Sequence, residues 1–184
     1  MPSNVEFDPV DSIAVGTVGP PGQRQFFLRA RGAAETVVLN CEKFHIQGLV
    51  GRVRQLLEAQ GLESALADAP PPPAAPGEAA WTIGELGLGY HESRQRFVIV
   101  ARERPGESEL DEAADPAEPA EPVELPGEEP VTARFWATAD QVRVFAGQAE
   151  SVLAGGRKLC NNCGLPIDPS GHPCPAANGA RPIF

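Results

Sequence analysis

Cys160, Cys163, His172 and Cys174 are the only close grouping of soft metal ligands in the chain. The pattern is Cys, two residues, Cys, eight residues, His, one residue, Cys. Three thiols and one imidazole are the donor set of a tetrahedral structural zinc site. Gly164, directly after Cys163, lets the backbone turn so that amides point back at the thiolates. His172 and Cys174 lie two apart and share one face of an extended segment. Pro166, Pro169, Gly171, Pro173 and Pro175 exclude regular helix between and after the ligands. Such a tail has almost no apolar core. Metal binding supplies what packing does not, about 10–16 kcal/mol in zinc-finger peptides.

Two other readings of the tail stay open. Its cysteines can be incidental in an unstructured segment, or Cys160 and Cys163 can form a redox dithiol. The dithiol belongs at a helix start after a strand, and the glycines and prolines here oppose a helix. The gap of one residue between His172 and Cys174 is also unusual among finger motifs. Four protein ligands leave no position for water, which favours a structural over a catalytic metal.

No second constellation offers chemistry. Gly16–Gly22 is glycine-rich, but it lacks the Lys and Ser/Thr of a phosphate-binding loop and precedes no helix, so it reads as a hairpin turn. His45 opens a predicted helix and reads as a surface or capping residue. His91 with Glu92 reads as a polar pair near a turn. The third histidine is the presumed metal ligand, so no Ser/His/Asp arrangement can be built. Cys41 ends an apolar run and reads as a buried thiol. Arg24, Arg29, Arg31, Arg94, Arg96 and Arg102 fall on predicted neighbouring strands. They form either an anionic-ligand patch, with Arg29 and Arg96 as its binding residues, or solvated partners of surface acids.

The elements that must carry these residues follow from pattern. Strands are expected at Ser12–Thr17, Gln25–Arg31, Glu35–Cys41, Trp81–His91, Arg96–Arg102 and Val131–Ala137. A helix is expected over Glu42–Ala59, with Ile46, Leu49, Val50, Val53, Leu56 and Leu57 on one stripe. A second begins at Thr138, where Thr138 and Gln141 fit a capping box, and buries Val142, Phe145, Ala149, Val152 and Leu153. The expected fold is α+β: an antiparallel sheet of about six strands, two amphipathic helices on one face, and a C-terminal zinc-ribbon-like tail. The α+β domain covers 1–154 and the zinc-binding tail 155–184. Met1–Pro9 is expected to be loose, and 68–77, with Pro70–Pro73, to be a disordered, polyproline-like linker.

The net charge of −10 is concentrated in one place. Glu103–Glu129 carries eleven acids and one base. Removing them from the chain's 25 acids and 15 bases leaves 14 of each. This insertion is expected to be disordered. The neutral remainder gives no electrostatic footprint for nucleic acid, and Arg157, Lys158 and Arg181 add few charges near the tail. No apolar run is long enough to cross a bilayer or to act as an N-terminal leader, so a soluble, cytoplasmic protein is expected.

The sequence resembles an actinobacterial family numbered 3090 among the domains of unknown function. The matching pieces are Val15-Gly16-Thr17-Val18-Gly19, Pro21-Gly22-Gln23-Arg24, Phe26-Phe27-Leu28, Leu39 to Glu42-Lys43 and the strand around Arg96–Ala101. The tail adds Cys160-Asn161-Asn162-Cys163-Gly164 and Gly171-His172-Pro173-Cys174-Pro175 with Asn178-Gly179. All four metal-ligand positions match, and no catalytic residue is carried over. The resemblance implies co-encoded companions, one like a histidine phosphatase and one like a lipid kinase. The function expected on this basis is a non-catalytic binding or adaptor protein with structural zinc, acting beside these companions. The alternative is an enzyme or binding domain for a phosphorylated small molecule, working through the arginine-bearing sheet face.

Overall fold

The computed structural model describes residues 3–33, 35–62, 69–73, 75, 77–105, 130–156, 160–165, 167, 171–177 and 182–183. Of the acidic segment expected to be disordered, Glu103–Pro105 are described; 106–129 lie outside the described residues.

Seven strands form the main sheet: β1 (Val5–Phe7), β2 (Ser12–Val18), β3 (Gln25–Arg31), β4 (Thr36–Cys41), β5 (Trp81–His91), β6 (Arg96–Glu103) and β7 (Thr132–Ala137). Their spatial order is β1-β7-β6-β5-β4-β3-β2. From β2 to β7 the sheet therefore runs in sequence order. β2-β3-β4 and β5-β6-β7 are two antiparallel meanders.

The sheet is mixed rather than antiparallel, and it has seven strands rather than six. Two pairs are parallel, β4 with β5 and β1 with β7. The first follows from the connection. α1 (Lys43–Ala59) intervenes between β4 and β5, and a helical crossover returns the chain in the same direction. The second comes from the N-terminus. Val5–Phe7, expected to be loose, pairs with Ala133–Phe135 at the far edge. Asn4 Oδ1 accepts from Thr132 N–H at 2.8 Å, and Trp136 Nε1 donates to Glu6 Oε1 at 2.7 Å. Three residues give too little alternation to mark a strand, and the partner lies at the other end of the sequence.

α1 and α2 (Ala139–Ala154) lie on one face of the sheet and share a single core with it. Ile46, Leu49, Val50, Val53 and Leu57 from α1 meet Val142, Phe145, Ala146, Ala149 and Val152 from α2. Beneath them lie Val15, Leu28, Leu39, Ile83, Phe97, Ile99 and Phe135. Strand alternation explains the selection, since every second side chain faces the helices. The expected box at Thr138 is present: Thr138 Oγ1 accepts from Gln141 N–H at 3.2 Å, and Gln141 Oε1 accepts from Thr138 N–H at 2.8 Å.

The opposite face carries Phe27 and Val38, both buried although they lie outside that core. The proline-rich segment covers part of this face. Pro73 O lies against Gly16, which pairs with Phe27, and Arg29 Nη2 donates to Ala75 O. Pro70 O and Pro71 O accept from Gln148 Nε2 of α2 at 3.0 and 3.4 Å. Ala69–Pro73 has neither helix nor strand, yet it is tied to the sheet edge and to α2. Its carbonyls, which proline retains, make the ties.

Candidate metal centre

The tail folds around its thiols from a tight first turn. Gly164 N–H donates to Cys160 O at 2.8 Å, and Cys160 N–H donates to Leu165 O at 2.8 Å. Gly164 sits at φ 71°, the left-handed region where a Cβ is disfavoured. This turn aims the amides of Asn162 and Cys163 at the Cys160 sulfur and the amide of Leu165 at the Cys163 sulfur. The second pair of ligands comes from β8 (His172–Pro173) and the residue after it, Cys174. β8 pairs antiparallel with β9 (Pro182–Ile183), and Pro175–Ala177 forms one 3₁₀ turn.

The four ligand atoms lie within 4.8 Å of one another. Cys160 Sγ and Cys174 Sγ are 3.8 Å apart, and Cys163 Sγ and His172 Nε2 are 3.9 Å apart. A disulfide needs about 2.05 Å, so the two sulfurs are not joined. A tetrahedron built on metal–sulfur bonds of about 2.3 Å has edges of about 3.8 Å. The Cys160–Cys174 and Cys163–His172 separations lie close to that edge, all four donors fall within 4.8 Å of one another, and they are positioned to bind a metal ion. Cys160, His172 and Cys174 are buried and Cys163 is half-buried.

Electrostatics point the same way. The His172 imidazole, followed by the amides of Asn162 and Cys163, lowers the Cys160 thiol from 9.0 to about 6. One ligand is thereby held as thiolate near neutral pH, the form a metal takes. Burial raises the Cys163 thiol, and the neighbouring Cys174 and Cys160 add to the rise. Cys41 behaves differently: burial and the adjacent Glu42 push it up to about 12, which leaves it an inert thiol.

The other candidates are dispersed. Arg29 on β3 and Arg96 on β6 both occupy the face away from the helices, but β4 and β5 lie between them. Three strand spacings separate them by about 14 Å, so they do not converge on one small ligand. His45 closes the start of α1: its Nδ1 accepts from Glu42 N–H at 3.2 Å, and its Nε2 lies 3.1 Å from Gly84 O. His91 is exposed, with Nδ1 3.2 Å from Ser93 Oγ and its ring edge-on to Trp136. Arg94 stacks on the same indole at 4.5 Å and pairs with Asp8 at 2.7 Å. Gly16–Gly22 is the end of β2 and the β2–β3 turn, as its glycines suggest.

Sequence reasoning missed Gln148. It is buried on α2, where its Oε1 accepts from Val15 N–H at 2.9 Å while its Nε2 holds the proline segment. The signal was a polar residue three positions after Phe145 and four before Val152, on the apolar stripe itself.

No curated protein and no solved structure matches the chain. A family model described as protein of unknown function (DUF3090) matches residues 5–174, from the start of β1 through the last of the four metal donors. The chain belongs to that family.

Proposed function

We propose that this is a zinc-stabilised binding or adaptor protein, without catalytic activity of its own, acting in the cytoplasm beside histidine-phosphatase-like and lipid-kinase-like companions. The observation that carries the reading is the closed Cys₃His donor set. Four protein ligands fill a tetrahedral metal and leave no position for substrate or activated water. Zinc fits this mixed thiolate and imidazole set and needs no redox partner. The other thiol on the described surface and core, Cys41, is held protonated by burial and cannot serve as a ready nucleophile.

The test has two parts. Elemental analysis of reduced protein purified without chelators should find about one zinc per chain. Tagged chain expressed in its native host should co-purify with one of the companions, and the purified chain should not turn over phosphorylated metabolites. Charge reversal at Arg29 and Arg96 separates this reading from the small-molecule one. Loss of the companion with folding intact supports an adaptor. Turnover of a phosphorylated metabolite that the same substitutions abolish overturns it.

A further inference from the structure

We propose that the cleft where the β2–β3 turn meets the start of α1 and the end of α2 binds the phosphate group of a small, soluble phosphorylated molecule, held between Arg24 and Lys43. The inference goes beyond the adaptor reading and requires no turnover.

Three elements bring the two cations together. The β2–β3 turn closes with Gln23 N–H donating to Pro20 O at 3.0 Å and with Gly22 at φ 96°. It delivers Arg24 to the end of α2, where Nη1 donates to Val152 O at 3.3 Å. That contact uses one of the five guanidinium N–H groups and does not neutralise the charge. Lys43 enters from the first position of α1. A cation in the first turn opposes the helix dipole, so it adds nothing to the stability of the helix. Both residues line a cleft of about 200 Å³ together with Gly22, Phe26, Leu153 and Gly156.

No carboxylate lines this cleft among the described residues. Neither Arg24 nor Lys43 forms an ion pair there, whereas Arg94 and Arg102 have Asp8 and Glu85. Glu42, next to Lys43, is paired with Arg104 at 3.4 Å. Two like charges beside the apolar walls of Phe26 and Leu153 focus a positive field into the cleft, and an anion that enters relieves their repulsion. A guanidinium fork can hold two oxygens of a phosphate while the ammonium acts on a third as a point charge.

The size of the cleft says how much of the ligand it takes. It admits a phosphate group but falls short of the roughly 300–1,000 Å³ that encloses a drug-sized ligand. Arg24 and Phe26 also line a neighbouring cleft of about 280 Å³ with Gln25, Asn40, Thr82 and Arg104. Its side-chain amides and hydroxyl can hydrogen-bond a hydroxylated body and do not suit an acyl chain. Gly155 leaves the space that the guanidinium occupies: a Cβ there would lie 3.1 and 3.3 Å from Nη1 and Nη2 of Arg24.

The test titrates the full chain with inorganic phosphate and then with ribose 5-phosphate, followed by NMR. Saturable shifts should centre on Gly22, Arg24, Lys43 and Gly156, and sodium chloride at the same ionic strength should not reproduce them. Ribose 5-phosphate should bind more tightly than inorganic phosphate. Lys43→Gln and Arg24→Gln should each weaken binding by about tenfold. Gly155→Ala, which displaces the guanidinium without changing the charge, should also weaken it. Should Arg24→Gln loosen the end of α2, Lys43→Gln decides, because Lys43 is exposed and has no partner to lose among the described residues. The proposal is overturned if phosphate gives no saturable shift, if chloride gives the same one, or if Lys43→Gln binds as the native chain does. Sedimentation with phosphatidic acid vesicles in a chain that ignores ribose 5-phosphate would overturn it as well, by assigning the phosphate to a lipid surface.

Discussion

Cys160 and Cys174 lie fourteen residues apart, yet their sulfurs meet at 3.8 Å, the first at a glycine turn and the second directly after a two-residue strand. This site was legible in the sequence because its ligands are local and few residue types can bind a metal. Gln148 was not, because its partner Val15 is 133 residues away and an amide has many possible uses. His45 lay between these cases: its position at a helix start indicated a cap, but its second contact, Gly84 O, depends on tertiary packing. The metal donors carry a prediction with a pH sign. The Cys160 thiol is lowered to about 6, so its thiolate is present above that value and is lost as pH falls through it. Cys163 is raised and must release a proton when metal enters. Apparent zinc affinity, followed with a chromogenic chelator, should therefore fall steadily from about pH 8 to about pH 5. Cys163→Ser should leave well under half of the zinc of the native chain, and His172→Cys, which keeps four donors, should retain it. Equal zinc in the native and Cys163→Ser chains would mean that the metal is held elsewhere.

At the scale of elements, the strands and helices with strong alternation or a full apolar stripe were legible almost to the residue, as Gln25–Arg31 and Trp81–His91 show. Pairing direction was not. Whether β5 runs with or against β4 depends on how the chain between them crosses the sheet, and α1 was visible without its direction of return. The proline segment posed a similar problem: its composition forbids helix and sheet but does not forbid packing through carbonyls. Gly16 is the point where it meets the sheet. A Cβ there would lie 2.3 Å from Phe27 Cζ and 2.8 Å from Pro73 O, so the aromatic ring or the proline segment would have to move. Gly16→Ala should destabilise the fold by about 1–3 kcal/mol, the usual cost of overpacking. Gly48 on the exposed side of α1 is the control, since a Cβ there meets nothing within 4 Å. Gly48→Ala should stabilise the chain by up to about 1 kcal/mol through helix propensity. Denaturant melts of the two variants should shift in opposite directions. A Gly16→Ala melt equal to that of the native chain would show that the proline segment does not bear on β2.

For the whole molecule, the net charge is concentrated in one stretch of the sequence. The segment 106–129 holds ten acids and no base, so its removal takes the net charge from −10 to zero. Its flanks are already joined. Glu103 N–H donates to Val131 O at 2.8 Å, and Arg102 stands opposite Thr132 across the β6–β7 pair. A short hairpin loop can therefore close the same two strands without moving either. Loop-closure entropy changes slowly with length, about 0.6 kcal/mol for each halving, so the shortened chain should be as stable as the native one or about 1 kcal/mol more stable. Solubility should move the other way, because a chain with no net charge loses the self-repulsion that keeps copies apart. Replacing 106–129 with a short Gly/Ser loop should raise the isoelectric point from about 4.8 to near neutral and leave the unfolding midpoint unchanged or slightly raised. The same change should promote association near pH 7 that added salt or a shift to pH 5 alters. Calorimetry and light scattering on the two chains read these outcomes separately. A midpoint lowered by many degrees would show that 106–129 contributes packing, and an unchanged association state would show that its charge is not what holds copies of the protein apart.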